Sequence, residues 1–292
     1  MPGQNTPQWP HLELVETAAG QIAVFKNDTG VSRNLKKYGE FGAGELGFYD
    51  KILGKGDVFV DVGANIGAIS WQLAKRRPDT IIWAFEPQIA SYYLAALNTI
   101  TLPLCKVFPI ALGADDRIIF APELNPFGTG NFGSLPLINK PHDVDLPMAQ
   151  TRLDRFLEKR GKKPRLIKID VEGMEDQVIE GAKGLFHRDL VLSIEADRAA
   201  TVEKYLPDLL AAGANYQIMF LPIISKKNPL LIAENPAQKT ATAHIFAFFG
   251  EISAELKNII PPNSELTSIE SYRQKIGPIV SRTEAALSHA KT

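Results

Sequence analysis

The sequence predicts a doubly wound α/β fold on a mostly parallel seven-stranded sheet, with an extension at each end. From about residue 57, short apolar runs alternate with stretches that carry apolar residues at helical spacing. Proline and glycine punctuate the ends of these stretches, and the first five apolar runs end near an acid or a glycine. Strands that alternate with helices are typical of a parallel sheet covered by helices.

Each element is predicted from its own pattern, because buried strands are short continuous apolar runs and amphipathic helices repeat every three or four residues. The predicted strands are Asp57–Val62, Thr80–Glu86, Cys105–Leu112, Arg165–Asp170, Leu190–Glu195, Tyr216–Leu221 and Ala243–Phe249. The predicted helices are Ile66–Arg76, Ala90–Ile100, Glu175–Leu185 and Ala199–Ala212.

The remaining segments are predicted as additions to a domain at 41–250. Residues 1–40 form an N-terminal extension with a small strand pair around Leu12–Phe25, and residues 251–292 form a helical C-terminal appendage. The segment 121–150 is rich in Pro, Gly and Asn and is too long for a routine connection, so it is interpreted as an insertion or lid.

Composition narrows the class of protein. The 292 residues include 32 Lys and Arg against 33 Asp and Glu, a net charge of −1 that offers no field for nucleic acid. Cys105 is the single cysteine, which is typical of a reducing compartment. With no secretory signal and no apolar run of membrane-spanning length, we expect a cytoplasmic protein without a membrane partner. The oligomeric state is not predictable from the sequence.

Two glycine motifs compete as ligand-binding turns. Gly42-Ala43-Gly44-Glu45-Leu46-Gly47 has the dinucleotide pattern but follows a polar, basic segment, so a helix-entry loop is the favoured interpretation. The turn Gly63 to Gly67 follows an apolar strand and precedes a helix, which is the context that such a turn requires. Asn65 stands where a dinucleotide fold has its second glycine, so a ligand without pyrophosphate is favoured.

Glu86 ends the next predicted strand, where a carboxylate can accept both ribose hydroxyls. Asp61 either contacts the ligand or braces the turn. A ligand with ribose and adenine, no pyrophosphate and a cationic centre that acids attract describes S-adenosylmethionine.

With these residues placed, the chain resembles the FkbM-type S-adenosylmethionine-dependent methyltransferases, which have a Rossmann-like fold with an antiparallel last strand. The resemblance spans roughly residues 38–250. It is carried by DVGANIG at 61–67, AFEP at 84–87, Asn98, TRLDRF at 151–156 and, above all, LIKIDVEGMEDQVIEGA at 166–182.

The resemblance implies roles for individual positions. Gly63, Asn65 and Gly67 would wrap the amino-acid end of the cofactor, and Glu86 would hold its ribose. Ala111 would border the adenine, and Glu45 would help to close the site. The implied reaction is O-methylation of a sugar, glycoside or other natural product.

The predicted chemistry centres on acids that follow the strand at 165–170. Strand alternation puts Lys168 and Asp170 on one face, with Asp170 at the tip, so Asp170 is the first candidate for the base that takes a proton from an acceptor hydroxyl. Glu172 is a base, a substrate anchor or an N-cap of the following helix. Lys168, Glu195 and His142 are candidate substrate contacts, although a solvated loop residue is the simpler interpretation of His142.

Two further alternatives stay open at this stage. Asp170, Glu195 and Asp197 could hold a divalent cation, although their spacing is not a ligand motif and no metal is favoured. The same crevice could serve a nucleotide-dependent oxidoreductase or a non-catalytic binding module.

Overall fold

The computed structural model describes residues 9–138, 145–230 and 241–276. The strands are β1 (Leu12–Thr17), β2 (Gly20–Phe25), β3 (Val58–Val62), β4 (Ile81–Phe85), β5 (Cys105–Phe108), β6 (Ala111–Leu112), β7 (Arg117–Ala121), β8 (Leu146–Thr151), β9 (Pro164–Ile169), β10 (Val191–Glu195), β11 (Asn215–Pro222) and β12 (Ala241–Phe248). The helices are α1 (Val31–Tyr38), α2 (Ala43–Ile52), α3 (Ala68–Arg76), α4 (Ile89–Thr99), α5 (Leu153–Glu158), α6 (Glu175–Ala182), α7 (Ala199–Ala211) and α8 (Ala254–Ile259).

The main sheet has seven strands in the order β11-β12-β10-β9-β3-β4-β5. All neighbours from β10 to β5 are parallel, and β12 is antiparallel to both β10 and β11. Helices cover both faces, so strands such as β3 are buried along their whole length, which explains their continuous apolar runs. The predicted doubly wound fold, with its antiparallel last strand, is confirmed.

The predicted strand Cys105–Leu112 is wrong in its second half. β5 ends at Phe108, and Pro109 follows, which has no N–H to continue the ladder. Ala111 and Leu112 instead pair with β8, which also pairs with β7, and the three strands form a second small sheet. The ends of the predicted 121–150 insertion therefore belong to a sheet.

The N-terminal extension contains the predicted strand pair β1 and β2, and also α1, which the sequence did not indicate. Helix α2 begins at Ala43 with Gly42 as its N-cap, which agrees with the interpretation of the Gly42 to Gly47 motif as a helix-entry loop. Ile22 and Leu35 pack with Trp71 and Leu94 of the main domain. The Asn98 side chain binds the backbone of Ala23 through both its oxygen and its nitrogen, and also donates to Ile66 O.

The residues after β12 include buried side chains. Tyr272 is fully buried, donates a hydrogen bond to Ala196 O and packs with Leu266 in the main core. In the described ranges no helix has both the length and the apolar character to cross a membrane.

Glycine is required at position 63 because the backbone there lies close to the end of β9, the neighbouring strand in the sheet. The φ of Gly63 is 84°, and a Cβ there would lie 1.9 Å from the carbonyl oxygen of Asp170. We expect Gly63→Ala to lower the free energy of unfolding by about 3 kcal/mol or more. Gly47→Ala in α2 is the matched control, because nothing lies within 4 Å of its Cβ position and alanine favours a helix. Urea unfolding of the two variants tests this, and equal stabilities would contradict it.

Candidate active site

A cleft of about 510 Å³ lies beyond the carboxyl ends of β3, β4, β9 and β10. This edge of an open α/β sheet is the usual place for a ligand. Several residues that the sequence singled out line the cleft together: Gly63, Asn65, Glu86, Lys168, Asp170, Glu172 and Glu195.

The turn after β3 is fixed by the neighbouring strand. The N–H groups of Gly63 and Ala64 both donate to Phe85 O at 3.0 Å. Asn65 has a φ of 52°, in the left-handed region that asparagine tolerates better than most residues. Gly67 precedes α3, and a Cβ at this position would lie 3.2 Å from Ala95 of α4. Because glycine has no Cβ, the two helices can pack closely.

Glu86 is held by the turn that it faces. Its Oε2 accepts a hydrogen bond from Asn65 N at 2.7 Å, and its Oε1 accepts one from Gln88 N at 2.8 Å. Burial raises the pKa of Glu86 to about 7, even though both backbone hydrogen bonds act to lower it. The carboxylate therefore lies in the wall of the cleft with a fixed orientation and an elevated proton affinity.

Gln88 is a cleft residue that the sequence did not identify. It is 6% exposed, and its Nε2 has no hydrogen-bond partner among the described residues. A buried amide donor without a partner is costly unless a ligand or water accepts its hydrogen bond.

Lys168 lies at the bottom of the cleft between two acids. Its Nζ lies 2.9 Å from Asp170 Oδ2 and 3.6 Å from Asp61 Oδ1, and its side chain is 3% exposed. Burial acts to lower the pKa of Lys168, but the charges of Asp170 and Asp61 outweigh the effect of burial and raise this pKa above its ordinary value. Lys168 is therefore a permanent buried cation that is bound to acids.

Asp61 and Asp170 differ in their exposure. Asp61 is fully buried, accepts a hydrogen bond from Ser70 Oγ at 2.7 Å and is absent from the cleft lining, so it braces the strand end. Asp170 has a side chain 34% exposed in the cleft wall. Burial acts to raise the pKa of Asp170, but the charge and hydrogen bond of Lys168, with smaller contributions from His244 and Glu195, lower it. Asp170 is thus an ionised carboxylate.

The remaining predicted residues have varied positions. Glu172 forms an ion pair with Arg198, and the N-cap position of α6 is Met174, so Glu172 does not cap that helix. Glu45 is buried below the cleft, where Tyr49 Oη donates to it at 3.1 Å. Ala111 is buried in β6 and does not line the cleft. His142 lies outside the described residues.

Some lining residues come from segments without a readable pattern. Arg33 and Asn34 belong to α1, Phe41 precedes α2, and Asn131, Phe132 and Gly133 belong to the predicted insertion. Only the length and the Pro, Gly and Asn content of 121–150 indicated that this segment could be functional.

No group of three or more His, Cys, Asp or Glu suited to a metal ion occurs among residues 9–138, 145–230 and 241–276. At the predicted cation position, Lys168 already contacts Asp170, and Asp197 accepts a hydrogen bond from Ala243 N.

We expect the ligand-free protein to lose stability as the pH rises from 5 to 8, with most of the loss complete by about pH 7. Burial is the main cause that raises the pKa of Glu45, Glu86 and Glu175 to about 7, above the value of 4.5 for the unfolded chain. The stability that a raised carboxyl pKa contributes is complete below the unfolded pKa. It decreases by about 1.4 kcal/mol per pH unit between the unfolded and folded pKa values, and it is lost once the pH exceeds the folded pKa.

Urea unfolding of wild type and Glu45→Gln at both pH values measures this effect. The variant has a neutral side chain at position 45, so its stability should depend less on pH. An unchanged pH dependence would contradict the burial of an ionisable Glu45.

The structure is thus a doubly wound α/β fold with a cleft at the strand tips. The sequence model of the family described as "Methyltransferase FkbM domain" matches residues 61–218, and the chain belongs to this family. No curated protein sequence gives a significant match.

Several solved structures are similar to this chain at low identity. A SAM-dependent methyltransferase from Agrobacterium tumefaciens aligns with 9% identity and a TM-score of 0.46, covering 84% of this chain and 72% of its own. A SAM-dependent O-methyltransferase from Thermotoga maritima aligns with 14% identity and a TM-score of 0.44, covering 82% of this chain and 78% of its own. A precorrin-6y C5,15-methyltransferase from Geobacter metallireducens aligns with 13% identity and a TM-score of 0.43, covering 69% of this chain and 85% of its own.

Proposed function

We propose that this methyltransferase uses S-adenosylmethionine to methylate a hydroxyl oxygen of a small acceptor, which is a sugar, glycoside or other natural product. The observation that carries the proposal is the pairing of Glu86 with the turn at Gly63 and Asn65, at the strand tips, in a chain of the FkbM family. We assign the activity to the cytoplasm, in keeping with the single cysteine.

The residues present fit this cofactor. Glu86 offers carboxylate lone pairs beyond the two that its backbone partners use, which suits ribose hydroxyls. Gln88 Nε2 is a buried donor in the same wall without a partner in the described chain. Asn65 and Ala64 line the adjoining part of the cleft, where the amino-acid end would lie.

When bound, S-adenosylmethionine supplies an electrophilic methyl group on a sulfonium. The protein must then align the acceptor oxygen and exclude water. We assign the acceptor's proton to the carboxylate of Asp170, which is exposed to the cleft and ionised. A low pKa makes Asp170 a weak base, so we place the proton transfer after the O–C bond has begun to form. Alignment of the acceptor oxygen with the methyl group then contributes more to the rate than proton removal does.

Two neighbours support this role. Lys168, predicted to contact substrate, has its ammonium bound to Asp61 and Asp170, so we assign to it the placement of the Asp170 carboxylate. Glu195 lines the cleft beside Asp170 and remains a candidate for the acceptor contact.

The test is the formation of S-adenosylhomocysteine by purified protein from S-adenosylmethionine with a panel of hydroxylated acceptors, with and without Mg²⁺. Acceptor-dependent product formation, with mass spectrometry placing the methyl group on oxygen, is the expected result. Methylation on nitrogen or carbon would contradict the oxygen acceptor.

A further inference from the structure

Two segments far apart in sequence form one wall of the cleft, and a buried acid joins them. Asp28 is 3% exposed; its Oδ1 accepts hydrogen bonds from Gly30 N at 2.9 Å and Phe132 N at 3.1 Å. Its Oδ2 accepts one from Ser32 N at 2.7 Å. We call residues 29–34 and 130–135 the cleft wall; its two halves are also joined by Thr29 N and Gly130 O at 2.8 Å.

The cleft wall contacts the turn after β3. A Cβ at Gly30 would lie 2.4 Å from Asn131 Oδ1, so a larger residue there would force the Asn131 side chain to move. A Cβ at Gly133 would lie 3.2 Å from the side-chain Nδ2 of Asn65. The wall therefore borders the part of the cleft next to the proposed cofactor site.

Charge distinguishes Arg33 within the described lining. The other lining cation, Lys168, is buried and bound to Asp61 and Asp170. Arg33 is exposed and forms no hydrogen bond or ion pair with the part of the chain that the structure describes. Glu172 across the cleft already pairs with Arg198. Asp28 accepts hydrogen bonds from Gly30 N and Ser32 N at the start of α1. The side chain of Arg33 is the exposed charged donor of the cleft wall.

We propose that Arg33 binds a carboxylate or phosphate group of the methyl acceptor, which makes the acceptor a hydroxylated anion such as a uronic acid or a sugar phosphate. A guanidinium binds both oxyanions through paired N–H groups. Arg33 is exposed whereas Glu86 and Gln88 are buried, so Arg33 lies where an acceptor enters from solvent. This inference rests on the proposed methyltransferase function.

The experiment is calorimetric titration of S-adenosylhomocysteine-saturated protein with D-glucuronate, glucose 1-phosphate and the neutral methyl glucoside. We expect wild type to bind one of the anions at least tenfold more tightly than the neutral sugar. Arg33→Gln should remove this preference and leave S-adenosylhomocysteine affinity within twofold. Lys37→Gln is the control, since Lys37 lies over the Tyr38 ring on the same helix and does not line the cleft.

Three results would overturn the inference. The first is equal binding of the anions and the neutral sugar by wild type, and the second is an equal effect of Lys37→Gln. The third is tenfold weaker S-adenosylhomocysteine binding by Arg33→Gln with unchanged 5′-methylthioadenosine binding, which would assign Arg33 to the cofactor's carboxylate. Failure of the proposed function gives a different result, because wild type would then not bind S-adenosylhomocysteine. In that case, the same anion titrations in the absence of S-adenosylhomocysteine still test the role of Arg33.

Discussion

Asp170→Asn is expected to lower the turnover of methyl transfer by about 10² to 10⁴ while S-adenosylhomocysteine binding changes by only a few fold. The carboxylate is the ionised acid in the cleft wall that Lys168 holds at 2.9 Å. Asparagine has nearly the same shape but cannot accept the acceptor's proton. Initial rates with the best acceptor of the panel, alongside calorimetry, separate turnover from binding.

Asp208→Asn is the matched control for this variant. It makes the same chemical change on an exposed side chain of α7, which forms an ion pair with Lys183 on the surface. We expect wild-type rates from it. If Asp170→Asn retained turnover within threefold of wild type, Asp170 would not be the proton acceptor.

Glu86→Ala is expected to weaken S-adenosylhomocysteine binding by 30-fold or more. The change removes the proposed ribose acceptor and leaves the N–H groups of Asn65 and Gln88 without their partner. Hydrogen bonds to a charged group contribute about 1.5–3 kcal/mol each, and unpaired buried donors add a further cost. Calorimetry at pH 8 measures the loss.

The pH dependence gives a second, independent test of Glu86. The ribose hydroxyls would donate to the ionised carboxylate, whose pKa is raised to about 7 by burial. Affinity should therefore fall as the pH is lowered from 8 to 6, approaching tenfold per pH unit below 7. Glu86→Gln cannot ionise and should bind with little pH dependence in this range; a wild-type slope in this variant would contradict the assignment.

The central strands of the main sheet could be predicted because they are buried on both faces, so their sequences are nearly continuous apolar runs. The boundary of β5 was predicted wrongly because apolar residues continue past Pro109, which interrupts hydrogen bonding without interrupting hydrophobicity. Helix α1 was not predicted, and only the start of α2 was indicated, by the motif that begins at Gly42. The packing of both helices against the main domain depends on contacts distant in sequence.

The candidate site, like the fold, could be predicted only in part. Glu86 and Asp170 follow strands directly, so the fold class alone brings them to one edge of the sheet. The cleft wall was not predictable, because the Asp28 to Phe132 hydrogen bond joins residues 104 positions apart in segments without periodicity. Glu45 likewise contacts Tyr49 one turn along α2, which is a local neighbour, but also His244 of β12, which no local pattern brings near it.

The measurement that tests the central claim most directly is calorimetric titration of the wild-type protein with S-adenosylhomocysteine, compared with NADH and NADPH under the same conditions. The account predicts micromolar binding of S-adenosylhomocysteine and none of the two dinucleotides. Tight dinucleotide binding without S-adenosylhomocysteine binding would contradict the methyltransferase assignment of this cleft and favour an oxidoreductase.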